Sequence, residues 1–162
     1  MFTKLLRCCF PLFASGLLML GWTSASAANE MPPLISFAYG HNATYVQGCY
    51  HYALKLQENG EVRLQMEMAG RDKMLDEAAD AELLEKIRDI LARHNVRAWN
   101  GFHETDPNVL DGSGFSLSAR FADGTGVSAS GSNAFPNGYG EVMAELRPLI
   151  EPQVNRMALG EY

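Results

Sequence analysis

The sequence predicts an α+β fold, a two-layer sandwich in which two helices cover one face of an antiparallel sheet. Two segments alternate apolar and polar residues on both sides of a glycine-containing loop, which is typical of β-hairpins. Two other segments repeat apolar residues at the period of a helix. Because each element has a single apolar face, we expect the sheet and the helices to bury these faces against one another.

Residues 1–27 have the pattern of a cleaved secretory signal peptide. Lys4 and Arg7 precede an apolar run from Cys8 to Trp22, and a small-residue cleavage site follows. The run is shorter than the roughly 18 to 20 residues of a spanning helix, which disfavours the alternative of an uncleaved membrane anchor. We therefore expect a periplasmic or secreted protein with no stable membrane insertion. No cysteine follows a small-residue box, so no lipid anchor is expected.

The rest of the chain is expected to form a single domain. A short lead at 28–33 precedes the α+β domain at 34–152, and a C-terminal tail follows at 153–162. The domain begins with a predicted strand from Leu34 to Tyr39, which is mostly apolar.

The register of the first hairpin follows from the length of its loop. A two-residue turn would place Leu56 opposite Arg63, whereas a three-residue loop at 58–60 pairs Leu56 with Val62. Because a slip of one residue turns a whole strand over, the apolar pairing decides between them. The longer loop requires a left-handed backbone at Gly60.

The second hairpin repeats this arrangement around a loop at 122–124. Only this loop aligns the apolar residues of the two strands, which are Phe115, Leu117, Ala119, Phe121, Val127 and Ala129. The opposite face carries Ser116, Ser118, Arg120, Gly126, Ser128 and Ser130. We expect that face to contact water, and the alternative is a serine-lined binding surface.

Two helices complete the prediction. The first has one apolar stripe, formed by Leu83, Leu84, Ile87, Ile90, Leu91 and His94. Asp80 is expected to cap its N-terminus. The second begins at Gly138 with Asn137 as its N-cap, and Pro148 is expected to end or kink it.

The charge of the chain argues against nucleic acid as a partner. The formal net charge of −6 becomes −8 without residues 1–27, which contain two basic residues and no acidic one. Binding to a phosphate backbone needs clustered Lys and Arg, which the sequence lacks. The glycine-rich segment 129–142 is likewise expected to turn the chain rather than bind an anion, because no Lys or Arg lies between Arg120 and Arg147.

The common catalytic and metal-binding motifs, such as G-x-S-x-G, H-E-x-x-H and paired C-x-x-C, are absent from the sequence. We therefore expect neither an enzyme nor a cofactor. The alternative is a hydrolase or other metal-assisted enzyme that uses His103, Asp106 and Asp111, although structural zinc needs more Cys or His ligands. His51, which the hairpin register sets opposite Glu67, is expected to form a surface pair.

Aromatic and polar side chains near two loops form the candidate ligand site, which comprises Trp99, Asn100, Phe102, Ser132, Asn133 and Tyr139. Aromatic walls with a few polar groups are typical of ligand grooves. Phe135 would join them if the loop at 103–113 folds back over the sheet edge. The alternative is that Trp99 and Phe102 close the end of the core, where the chain passes from helix to sheet.

Four segments form a specific combined pattern: WNGF at 99–102, VLDGSGFSL at 109–117, FADGT at 121–125 and ASGSNAFP at 129–136. Together they resemble an uncharacterised family of small bacterial exported proteins and lipoproteins, and the likeness covers nearly the whole predicted domain. The resemblance implies a bacterial envelope setting and one compact domain, and it assigns no catalytic residue. The lipid-anchor cysteine of the family's lipoproteins has no equivalent in this chain.

The function expected from these observations is that of a small, non-enzymatic binding or interaction module of the bacterial envelope. Its partner would be a protein or a small molecule.

Removal of residues 1–27 leaves Cys49 as the single cysteine, which is expected to be a buried small hydrophobic residue. The alternative is that Cys49 forms an intermolecular bridge, which would suit a structural accessory subunit.

Overall fold

The computed structural model describes residues 31–43, 48–72, 74–109 and 112–161. These residues form β1 (Leu34–Asn42), β2 (Tyr50–Leu56), β3 (Val62–Met68), β4 (Leu75–Ala79), α1 (Glu82–Arg93), a 3-10 helix (Val96–Trp99), β5 (His103–Thr105), β6 (Gly114–Phe121), β7 (Gly126–Ser132) and α2 (Tyr139–Leu159). The predicted signal peptide at 1–27 lies outside the described residues, so its cleavage stays a prediction.

The strands form one sheet in the order β4-β3-β2-β1-β6-β7-β5. Neighbouring strands are antiparallel except for β5, which lies parallel to β7. Helix α1 packs on β1, α2 packs on β3, and the two helices contact each other. The buried apolar side chains of the strands and helices form one core. The predicted α+β fold, with two helices on a mostly antiparallel sheet, is confirmed.

Both hairpins have the predicted register. Leu56 pairs with Val62 in the first, and the second closes through residues 122–124. Gly60 and Gly124 have φ angles of +86° and +84°. Glycine adopts this left-handed conformation without the steric clash of a Cβ atom, so each loop fixes which strand face is buried.

Strands β4 and β5 were missing from the sequence prediction. Strand β4 has only one large apolar residue, Leu75, and β5 consists of three exposed residues. Neither shows the apolar alternation that identifies a strand. Both are placed by backbone pairing with a neighbour, β4 with β3 and β5 with β7. Strand β7 is distant in sequence from β5, so a short window of sequence around β5 does not predict that it is a strand.

Helix α1 begins one residue later than its predicted cap implies. Ala81 occupies the N-cap position, and the carboxylate of Asp80 accepts a hydrogen bond of 2.9 Å from the N–H of Glu82. Asp80 therefore still satisfies a free N–H group of the first turn, as capping requires. At the other end, half-buried His94 lies with its Nε2 atom 2.7 Å from Oε1 of Glu145 on α2.

Helix α2 continues past Pro148, at which it was expected to end or kink. Pro148 and Pro152 both lie inside it. Each proline removes one backbone N–H, but both are exposed, so water can bind the carbonyl groups that lose their partners. The buried stripe of α2 extends to Met157, which is 0% exposed. Residues 153–159, expected in a tail, therefore belong to the helix and contribute to the core.

The start of α2 also corrects the prediction. Gly138, with a φ angle of +78°, occupies the N-cap position, and no side chain caps the helix there. Asn137, the predicted cap, instead accepts a hydrogen bond through its backbone carbonyl from Trp99 Nε1. The helix is joined to the preceding corner by a backbone hydrogen bond from Tyr139 to Pro136.

The second face of the sheet is not covered by a helix in the described part of the chain, and we call it the open face. Its strand residues include Ser36, Ala38, Gly40, His51, Ala53, Lys55, Arg63, Gln65, Glu67, Asp76, Ser116, Ser118, Arg120, Gly126, Ser128, Ser130 and His103. The residues of the second hairpin on this face are exposed, except for half-buried Ser130. The open face is therefore mostly polar, and over the second hairpin it is accessible to solvent.

Candidate functional site

Three of the predicted ligand-site residues lie in an aromatic cluster, which consists of Trp99, Phe102, Phe115, Phe135 and Tyr139. Trp99 is 5% exposed, and its indole N–H donates a hydrogen bond of 3.1 Å to the carbonyl of Asn137. Its ring centroid lies 6.1 Å from that of Tyr139, which in turn lies 4.7 Å from that of Phe115. The rings pack against one another between the sheet and the start of α2, and Trp99 belongs to the core.

The other three predicted ligand-site residues lie at junctions between loops and the sheet. The side-chain oxygen of Asn100 accepts a hydrogen bond of 2.9 Å from the N–H of Ser128. Asn133, whose φ angle is +55°, donates a hydrogen bond of 3.1 Å to the carbonyl of Val109. Ser132 is the exposed last residue of β7. The six predicted residues are thus divided between the aromatic cluster and these junctions.

A pair of tyrosines joins the sheet to α2 beside the aromatic cluster. The hydroxyl oxygens of Tyr39 and Tyr139 lie 2.8 Å apart, within hydrogen-bonding distance. Burial raises the pKa of both hydroxyls, and the hydrogen bond with Tyr139 raises the pKa of Tyr39 further. Both hydroxyls therefore remain protonated near neutral pH and act as structural hydrogen-bonding groups. Tyr50 and His41 extend the row of rings, with centroids 5.6 Å apart.

The environment of His41 predicts a pH-dependent stability. Burial, followed by the nearby positive charge of Arg147, lowers the pKa of His41 below its ordinary value of 6.5. As the pH falls through 6.5, the unfolded chain takes up a proton at this site before the folded chain does, so stability decreases. We expect the urea midpoint to fall less between pH 7 and pH 5 in His41→Gln than in the wild type. An NMR titration that places the pKa of His41 at or above 6.5 would contradict this prediction.

The predicted metal-binding residues are only partly described. His103 is exposed, and its Nδ1 atom lies 2.8 Å from the hydroxyl of Ser130. Asp106 accepts hydrogen bonds from the backbone and side chain of Asn108. Asp111 lies outside the described residues. Within the part of the chain that the structure describes, no group of three or more His, Cys, Asp or Glu residues is placed to hold a metal ion.

A row of five polar residues and one glycine, which we call the polar row, crosses six strands of the open face. In the order of the strands it runs Glu67, His51, Gly40, Ser116, Ser130 and His103. The register predicted from the first hairpin, with His51 opposite Glu67, is confirmed. Because neighbouring strands lie about 4.8 Å apart, the pairing fixes the spacing of these residues along the row.

The middle of this row forms the floor of a groove with a volume of about 520 Å³. Gly40 lies at its base, and a Cβ atom at this position would be 2.5 Å from Ser116 Oγ and 3.7 Å from His51 Cδ2. Both side chains therefore lean toward the space above Gly40. Glu67 and the exposed side chain of Met74 line other parts of the wall.

Cys49 also lines the groove, and its burial differs from the prediction. The residue is half-buried rather than buried. Its sulfur accepts a hydrogen bond of 3.3 Å from the N–H of Ala43, and its carbonyl accepts one from Ala69 at the end of the β2–β3 pair. These contacts place Cys49 at the edge of the sheet ladder, with one side toward the groove.

The groove offers hydrogen-bonding groups to a ligand. The side chains of His51, Glu67 and Ser116 form no hydrogen bond or ion pair with any residue that the structure describes. An imidazole and a hydroxyl can each donate and accept, and a carboxylate accepts.

Acyl-transfer chemistry requires a base that contacts the nucleophile and is oriented by a third group. Ser130 and His103 make the first contact, but no described carboxylate is hydrogen-bonded to His103.

The sequence pattern predicts the residues on each side of the polar row, but it does not predict that the two hairpins lie on either side of one strand. The first hairpin supplied Glu67 and His51, and the second supplied the serines. The connecting strand, β1, was expected to end at Tyr39, so Gly40 was placed outside the sheet. A usable signal was present, because Ser36, Ala38 and Gly40 alternate with large aromatic residues on one strand.

Neither α-helix of the described region is long and apolar enough to cross a membrane. When the chain is compared with protein-family models and with curated proteins, none of them matches. A functional assignment therefore rests on the geometry of the open face.

Proposed function

We propose that this protein is a binding module of the bacterial envelope and that its ligand binds on the open face around Gly40. The observation that carries the proposal is the polar row, in which five strands direct polar side chains toward the same uncovered surface on both sides of Gly40. Backbone pairing holds these positions in place before a ligand arrives. Such pre-organisation reduces the entropic cost of binding.

The envelope setting is supported by the sequence of residues 1–27. Basic residues, a short apolar run and a small-residue cleavage site occur there in the order that export signals require. The resemblance to a family of exported proteins agrees with this setting.

The groove favours a polar ligand of modest size. Its volume of about 520 Å³ lies within the range of roughly 300–1,000 Å³ typical of small-molecule sites. The unpaired imidazole, carboxylate and hydroxyl groups would each lose a water molecule on binding, and a ligand has to replace those hydrogen bonds. A hydroxyl-rich molecule meets this requirement, because each hydroxyl both donates and accepts.

The variant Gly40→Ala tests whether the ligand binds on this surface, because it changes the floor of the groove without moving the backbone. The added methyl group would displace the hydroxyl of Ser116, which can rotate, and it would fill the floor of the groove. We expect the trisaccharides maltotriose and trigalacturonate to be the informative probes. In the wild type, at least one of them should shift the backbone amide NMR signals of His51 and Ser116. In Gly40→Ala, the affinity should fall about tenfold, or about 1.4 kcal/mol.

Gly140→Ala is the matched control. This residue lies on α2, and an added Cβ atom would meet no atom within 4 Å, so the affinity should be unchanged. Signal shifts confined to the aromatic cluster would contradict the proposal and favour the site predicted around Trp99. The absence of shifts on the open face with both probes would also contradict it.

A further inference from the structure

Most Lys and Arg side chains in the part of the chain that the structure describes form an ion pair with a carboxylate. Two that lie on the open face do not. The cations in ion pairs are Arg63, Lys86, Arg88, Arg93, Arg97 and Arg156. Lys55 and Arg120 form no ion pair with any described carboxylate. Arg71 and Arg147 form none either. Arg71 lines the groove at Gly40 and donates a hydrogen bond to the carbonyl of Ala158, and Arg147 lies on α2.

Lys55 and Arg120 flank Ser36 in one row of the sheet. Ser36 on β1 pairs with Lys55 on β2 and with Arg120 on β6. With strands about 4.8 Å apart, the Cα atoms of the two cations are about 10 Å apart, and side chains of this length can converge above the serine hydroxyl. The row lies four residues from Gly40 along β1, which corresponds to about 13 Å.

The chemistry of this row suits an anion. Two cationic groups and a hydroxyl donor form charge-assisted hydrogen bonds with a carboxylate or a phosphate group. The chain as a whole carries a formal net charge of −6, so an uncompensated pair of cations is a local exception on an acidic protein. Such a patch attracts an anionic ligand and orients its approach.

The strip between this row and Gly40 favours a saccharide over a peptide. It carries Ala38, Ala53, Ser118 and Ser128, which are small or hydroxyl-bearing. Peptides are usually recognised by strand addition at a free sheet edge or by pockets for their side chains. The strands here are already paired on both sides, and the small residues form a shallow floor. Serine hydroxyls can bond to the hydroxyls of a sugar ring.

We propose that the ligand of the open face is an acidic oligosaccharide whose carboxylate binds between Lys55 and Arg120, over Ser36. This inference rests on the proposed function and adds the ligand class and a second contact point. A chain of about three sugar units is long enough to extend over the 13 Å or so between the Ser36 row and Gly40. The anionic group then sets the direction in which the saccharide lies on the sheet.

Calorimetric titration of trigalacturonate into the wild type and into Lys55→Gln, Arg120→Gln and Arg147→Gln tests this inference. All three variants lose one positive charge, but Arg147 lies on α2, away from the open face. At low ionic strength we expect each of the first two variants to bind about tenfold more weakly, and Arg147→Gln to bind as the wild type does. Added salt should weaken binding to the wild type, since exposed charges are screened.

The outcomes separate this inference from the proposed function. If maltotriose binds as tightly as trigalacturonate, and Gly40→Ala alone weakens both, the anion site is overturned and the open-face proposal stands. An equal loss in Arg147→Gln would indicate an effect of net charge and overturn the site. Equal binding of triglutamate or of inorganic phosphate, with the same response to the variants, would overturn the saccharide class. Binding of none of these probes to the open face would overturn both proposals.

Discussion

Replacing Phe115 with alanine is expected to lower the free energy of unfolding by about 3–5 kcal/mol, the range measured when a buried phenylalanine is truncated. Phe115 is 2% exposed and lies at the centre of the aromatic cluster. Its ring centroid is 6.3 Å from that of Phe102, 5.7 Å from that of Phe135 and 4.7 Å from that of Tyr139. Removal of the ring would leave a cavity bordered by three aromatic groups, which urea denaturation would report.

Phe135→Ala is the control for this prediction. Phe135 contacts the same cluster, but 42% of its surface is exposed, so its truncation removes less apolar contact and leaves a space that water can enter. We expect a clearly smaller loss of stability than in Phe115→Ala. Equal losses in the two variants would contradict the position of Phe115 at the centre of the cluster.

The second large effect is expected from Gly131→Ala, at about 3 kcal/mol or more of lost stability. A Cβ atom on Gly131 would overlap the carbonyl oxygen of Ala134 and lie 2.9 Å from Cε1 of Phe115. Because the carbonyl oxygen of Ala134 belongs to the backbone, the clash can be relieved only if the backbone of the corner between β7 and α2 moves. Thermal unfolding of the variant measures this cost, because a less stable fold melts at a lower temperature.

Gly140→Ala separates the steric effect from the general effect of replacing glycine. An alanine inside an exposed helical turn is favoured over glycine by about 0.5–1 kcal/mol. We therefore expect Gly140→Ala to melt at a slightly higher temperature than the wild type, and Gly131→Ala far below it. A Gly131→Ala variant as stable as the wild type would show that the corner accommodates a side chain.

The hairpins were predictable because their pattern is local. A left-handed glycine at position 60 and the alternation of apolar residues around it are both present in a short window of sequence. The same holds for the apolar stripe of α1. In these elements the loop geometry and the apolar pattern favour the same register, so no tertiary information was needed.

The continuation of α2 through Pro148 was not predictable from local rules, since proline usually ends a helix. The helix persists because the side chains beyond it, including Met157, complete the core that the sheet requires. Strand β5 illustrates the same limit. Its three exposed residues adopt a strand only because β7 presents a free edge beside them.

The candidate site was predictable only in part. The polar face of the second hairpin and the register that sets His51 opposite Glu67 were predicted correctly, but the expected surface pair between these two side chains does not form. The groove depends on Gly40, which joins the two hairpins through β1, and that junction exists only once the order of the strands in the sheet is known. Residues from distant segments therefore meet at a position that no single segment specifies.

The central position of β1 in the sheet has a consequence for folding kinetics. This strand comes early in the chain, yet it pairs on one side with β6, so that Leu34 lies opposite Phe121. Pairing between segments so far apart requires closure of a long loop, and domains dominated by such pairs fold in milliseconds to seconds rather than microseconds. The two hairpins can form early, but the halves of the sheet join only when β1 pairs with β6. The complete core therefore forms late in folding, after this long loop has closed.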